Sequence, residues 1–188
     1  RFANHTGDIS GESFDVDPDG DPGYVAWDDS AALITISGVV YSDEGSTVSA
    51  ICDGSTNNIV LRVAGITTYT SSCNATTGVY SVTSVSYGAS DSLVAFIDGE
   101  AVEGTTVSKE PISNIGNFDI YENRVIVRHE DVNPITIADM AVWDSSDDAD
   151  ILFTAVDAGS DTLTLPADTK LIIWNGKTFA PAGDVTLS

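Results

Sequence analysis

The chain has 188 residues, 42% of them hydrophobic, enough for a packed core in one large domain or two small ones. Seven Lys and Arg stand against 29 Asp and Glu, a net charge of -22. A field of that sign repels nucleic acid and anionic lipid surfaces, so neither is expected as a partner. No apolar run approaches the ~20 residues of a membrane-spanning helix, so no membrane insertion is expected. The acidity suits either a solvated, aggregation-resistant surface or cation binding.

Residues 1–30 are acidic, contain Gly and Pro, and hold only isolated apolar side chains, which is too little to bury themselves. The opening Arg1-Phe2-Ala3-Asn4 lacks a charged-then-apolar leader, so a secreted protein is expected here as its mature chain or a fragment. Ile9, Phe14 and Val16 are spaced as anchors for an extended arm that adds to the sheet edge of another copy. The alternative is a strand added to its own domain. Asp15, Asp17, Asp19 and Asp21 alternate like the first half of a calcium loop. Ala26 then falls where such a loop places a bidentate Glu, so a solvated turn remains the alternative.

From residue 31 to 110 short β-rich runs recur between turn residues, the pattern of a β-sandwich. They are Leu33–Tyr41, Asn58–Gly65, Thr67–Thr70, Gly78–Val82 and Leu93–Gly99. The two cysteines, Cys52 and Cys73, fall inside this region. An even count in an acidic, strand-rich chain suits one disulfide and an oxidising compartment, with two buried thiols as the alternative. Closing that loop is worth roughly 3 kcal/mol in the chain-entropy model. Two cysteines fall short of the four ligands of a structural zinc site.

The polar stretch Glu100–Glu110 reads as the link to a second part, 111–188. There Tyr121–Arg128 alternates as a strand, and Thr136–Trp143 is the best helical segment, with Ile137, Met140 and Ala141 on one face. Strands follow at Ile151–Ala155, Thr162–Leu165, Lys170–Trp174 and Ala182–Ser188, and Asn175-Gly176 signals a hairpin.

No constellation of nucleophile, base and orienter is visible, and neither a phosphate loop nor a Gly-x-Ser-x-Gly elbow occurs, so no enzymatic activity is expected. His129, beside Glu130-Asp131, reads as a surface histidine. Asp144, Asp148 and Asp150 form a second candidate calcium cluster, against the alternative of an acidic solvent loop. Asn4 and Asn74 fit the Asn-x-Ser/Thr acceptor pattern for glycosylation. Trp27, Trp143 and Trp174 suit core or interface anchors better than a sugar platform.

Ile36-Ser37-Gly38-Val39-Val40-Tyr41-Ser42-Asp43-Glu44-Gly45, Val60-Leu61-Arg62-Val63, Thr68-Tyr69-Thr70-Ser71 and Thr77-Gly78-Val79-Tyr80-Ser81-Val82 resemble the prealbumin-type sandwich. That family includes carboxypeptidase-regulatory-like domains and the B-type repeats of bacterial adhesins and pilins. In such adhesin domains a first-strand Lys often joins a late Asn in an isopeptide bond. Here Lys109, Lys170 and Lys177 all come later, which argues against an isopeptide and makes Cys52–Cys73 the alternative staple. The run from Asn123 to Glu130 and those beginning at Asp148 and Leu171 are similar to segments of very large bacterial surface proteins.

The expectation is an all-β chain: an extended arm (1–30), a prealbumin/Ig-like β-sandwich (31–110) and a second small β-rich domain (111–188). The resemblance implies an extracellular or cell-surface structural subunit, joined head to tail with copies of itself in a filament or pilus-like fibre. The alternative is a calcium- or carbohydrate-binding module of a large adhesin, with glycans as partners. No cofactor is implied beyond calcium at the acidic clusters.

Overall fold

The computed structural model describes residues 33–64, 67–88, 90–159 and 161–187. Residues 32–188 form one compact unit, divided from residues 1–31. The expected arm, with Ile9, Phe14 and Val16, lies outside the described residues.

The fold is all-β, with about 41% strand and 3% helix. In chain order the elements are β1 (Leu33–Tyr41), β2 (Ile59–Val63), β3 (Thr67–Ser71), β4 (Val79–Ser86), β5 (Ser92–Ile97), β6 (Thr105–Lys109), β7 (Ile120–Tyr121) and β8 (Arg124–Val127). Then come α1 (Ile137–Met140), β9 (Thr154–Val156), β10 (Thr162–Leu165), β11 (Lys170–Ile173) and β12 (Asp184–Leu187). A six-stranded sheet, ordered β11-β8-β6-β5-β2-β3, holds the middle. Two three-stranded sheets, β4-β1-β7 and β12-β10-β9, complete the unit.

Alternation along β1 buries Ile34, Ile36 and Val40. They pack with Ile59, Leu61 and Val63 of β2 and Leu93, Ala95 and Ile97 of β5, so β4-β1-β7 covers one face of the central sheet. The opposite positions, Val60, Val94, Phe96, Val107, Val125 and Val127, form a second core with α1, Ile151–Phe153 and β10. Both faces are therefore covered. That is why β5 (Ser-Leu-Val-Ala-Phe-Ile) is buried at every position instead of alternating.

The division expected at 110/111 is not a break in the sheet. Strand β8 pairs in parallel with β6, β11 pairs in parallel with β8, and β7 pairs in parallel with β1. The stretch Glu100–Glu110, read as a link, contains β6, which is buried throughout. Tyr121–Arg128 divides into β7 and β8 around Asn123, whose φ is positive. The turn at Asn175-Gly176 forms, but no hairpin follows it. Phe179 instead bridges in parallel to Ile135, because β11 takes its partner from β8. The helix spans only Ile137–Met140 and begins with a capping box in which Thr136 Oγ1 accepts from Asp139 N while Thr136 N donates to Asp139 Oδ2.

Two devices hold the first layer. The Cys52–Cys73 disulfide forms, tying the loop after β1 to the end of β3. Gly38 lies where the chain at Phe118–Asp119 crosses β1, and a Cβ there would meet the Phe118 carbonyl oxygen at 2.2 Å. Ser37 accepts from Phe118 N, and Val39 N donates to Asp119 Oδ1, which fixes that crossing. Gly38→Ala is expected to lower unfolding stability by at least about 2 kcal/mol, since backbone must move to admit the methyl; urea denaturation measures it.

Candidate functional site

Alternation places Asp98, just beyond β5, in line with Val94 and Phe96 on the face that packs against the second core. Arg62 of β2 is the register partner of Val94 and shares that face. Its guanidinium sits 5.6 Å from the centre of the Phe96 ring and 5.1 Å from that of Trp143. From there Nη2 reaches Asp148 Oδ2 at 2.5 Å, an ion pair whose side chains are both mostly buried. Arg62 thus draws the loop after α1 over the end of β5.

The result is a cluster of Asp98, Asp148 and Asp150, each half-buried, with one carboxylate oxygen from each within 4.8 Å of the others. Gly99 N donates to Asp150 Oδ2 at 2.7 Å, and Asp150 N donates to Asp148 Oδ1 at 3.3 Å. Burial, and then the charges of Asp148 and Asp150, push the Asp98 carboxyl above its ordinary value of 3.8, with Arg62 opposing. Such a group of oxygens can share a proton or hold part of the shell of a hard cation. Calcium takes 6–8 oxygens, so the three carboxylates would leave the rest to water and backbone.

Of the candidate ligands expected in this loop, the structure brings Asp148 and Asp150 together and excludes Asp144. Asp144 is buried beneath the loop, where Oδ1 accepts from Ser146 N and Oδ2 from Ala155 N. Its role is to shape the turn into β9. Asp98 was absent from the expectation because no spacing links residue 98 to residue 148; only the packing of the second core on β5 does.

The other expected sites divide as follows. Asp15, Asp17, Asp19, Asp21, Asn4 and Trp27 lie outside the described residues. Asn74 is exposed in the turn between β3 and β4, with Oδ1 accepting from the amides of Thr76 and Thr77. His129, expected at the surface, is buried. Its Nδ1 meets the Asp131 carbonyl and its Nε2 accepts from Thr178 N, so both ring nitrogens are engaged by backbone. Trp174, like Trp143, is stacked with a guanidinium, that of Arg128, 5.4 Å from the ring centre.

No family model, curated protein or solved structure matches the chain.

The raised Asp98 pKa carries a sign. Its ionised form is disfavoured on folding, so the penalty is present above the raised folded value and absent below 3.8. Asp98→Asn is therefore expected to melt higher than the parent at pH 7 in calcium-free buffer. That advantage fades as the pH falls through the raised folded value and is gone below 3.8, which paired thermal melts over pH will show.

Proposed function

We propose that this chain is a structural subunit of an extracellular filament or pilus-like fibre. Copies join head to tail as the arm over residues 1–30, anchored by Ile9, Phe14 and Val16, adds a strand to a neighbour's sheet. The observation that carries the proposal is the open central sheet. Its two outer strands, β11 and β3, each pair on one side only among the described strands. An open edge presents a row of backbone donors and acceptors that another chain's strand can satisfy.

Two further points support it. The Cys52–Cys73 disulfide favours an oxidising, extracellular setting. The face-to-face packing of β4-β1-β7 on the central sheet supplies the sheet-on-sheet body that such a subunit needs. A head-to-tail contact of this kind is heterologous, and it yields a filament wherever its rotation does not close a ring.

Deleting residues 1–30 is expected to leave circular dichroism unchanged and to give monomers by light scattering, while the full chain forms fibres in negative-stain images. Fibres from the truncated chain would rule the arm out.

The Asp98–Asp148–Asp150 cluster favours a second reading, a calcium-binding module of a larger surface protein. The carbohydrate form of that reading gains less, because Trp143 and Trp174 each have a guanidinium stacked on the ring. Calorimetry with calcium is expected to give a binding isotherm that Asp98→Asn with Asp150→Asn abolishes. An isotherm unchanged in that variant would clear this cluster of the role.

A further inference from the structure

The filament reading leaves open which edge receives the arm, and the distribution of charge separates the candidates. Between Asp8 and Asp21 the arm carries Asp8, Glu12, Asp15, Asp17, Asp19 and Asp21 and no basic residue. Pro18 lacks the amide a central strand needs, so the segment able to pair is Ile9–Asp17. An acceptor edge should therefore be positive, apolar and open.

We propose that β11 is the acceptor, taking residues 9–17 of a second copy of this chain. The inference rests on the filament reading and adds the contact surface to it. Lys170 opens β11 with a side chain 64% exposed, its Nζ 2.8 Å from a Glu44 carboxylate that Arg124 also binds. Two cations thus share one carboxylate there, and Lys177 follows in the turn beyond β11. The other basic residues of the described chain are less available. Arg62, Lys109 and Arg128 are mostly buried in ion pairs with Asp148, Asp139 and Glu130, and Arg124 is only 14% exposed beside Glu44. In a chain of net charge -22, the β11 edge is thus the end of the sheet that attracts a carboxylate-rich segment.

The backbone fits as well. Lys170 N donates to Asn123 O and Trp174 N to Val127 O, so these amides turn toward β8. By alternation the amides and carbonyls of Leu171 and Ile173 point away from the sheet. Between the two lysines lie Leu171 and Ile172, both half-buried, and Ile173, 50% exposed, as apolar surface for Ile9, Phe14 and Val16.

The competing edges lack these properties. Strand β12 opens on Asp184, whose amide binds Asp161 O, which sets carboxylates against an acidic arm. Strand β3 has no basic residue, and its flank meets β4, where Tyr69 Oη accepts from Ser86 N and Ser71 Oγ donates to Ser81 O. Strand β4 is distorted at Ser84, which adopts a φ of 57°.

The test uses the full chain with engineered cysteine pairs. Ser13→Cys, Asp15→Cys and Asp17→Cys are each combined with Ile173→Cys on β11, and in parallel with Thr70→Cys on β3 or Thr186→Cys on β12. After oxidation, the β11 pairs are expected to give a multimer ladder on non-reducing gels that reductant collapses. Lys170→Glu with Lys177→Glu is expected to abolish fibres while leaving circular dichroism unchanged. Fibres whose ladder appears only with the β3 or β12 cysteines overturn the β11 assignment and leave the filament reading standing. Fibres unaffected by the double charge reversal count equally against β11. Absence of both fibres and ladder overturns the two together.

Discussion

Strand β6 enters the middle of the central sheet with four polar side chains out of five, and neither face of the sheet there reaches water. A buried polar group left unpaired costs about 1–3 kcal/mol, so each of the four needs a partner. Alternation sends them to opposite layers. Thr106 Oγ1 donates to the Asp119 carbonyl ahead of β7, and Ser108 Oγ to Glu130. On the other side Thr105 Oγ1 accepts from Leu152 N, and Lys109 Nζ meets Asp139 in the cap of α1 at 2.9 Å. The three layers are thereby referred to one strand, and the segment after Pro111 becomes part of the body that precedes it.

The same economy governs the cations. Arg62 stacks with Phe96 and Trp143 and pins the loop carrying Asp148. Arg128 lies 5.4 Å from the ring centres of both Phe118 and Trp174, pairs with Glu130 and donates to the Asn117 carbonyl. Each guanidinium combines a flat apolar contact with charged hydrogen bonds, which an ammonium does less well. Arg62 and Arg128 are thus spent between layers, while Arg124 and Lys170 share the carboxylate of Glu44.

Period-two alternation made β1 legible from Leu33 to Tyr41, and β10 was equally legible at Thr162–Leu165. Strand β6 was not, because Thr-Thr-Val-Ser-Lys carries no apolar alternation and its burial depends on partners far along the chain. Asn175-Gly176 correctly announced a turn, but turn chemistry says nothing about which strand an edge will pair with, and here the partner is β8. The disulfide followed from counting. At the acidic cluster, Asp148 and Asp150 were visible as neighbours, whereas Asp144 looked equivalent to them and is consumed by local amides. Asp98 joins them only because β5 aims it at the second core. Spacing along a chain reports ligands that share a loop; it is silent on ligands contributed by a strand end many residues away.

On the proposed filament reading, the net charge of -22 opposes polymerisation only when copies cluster. Screening confines repulsion to about 8 Å at physiological ionic strength, so two acidic bodies side by side repel over their whole shared surface. Copies that meet only at one edge keep most of their charge apart. Strand addition brings backbones to about 4.8 Å, where directed hydrogen bonds act, and it needs just one narrow strip of favourable charge. On the proposed filament reading, an acidic chain joined through one strand edge would disfavour compact aggregates while tolerating growth in single file. In that view the scarcity of basic residues selects among the available edges as well as keeping the molecule dispersed.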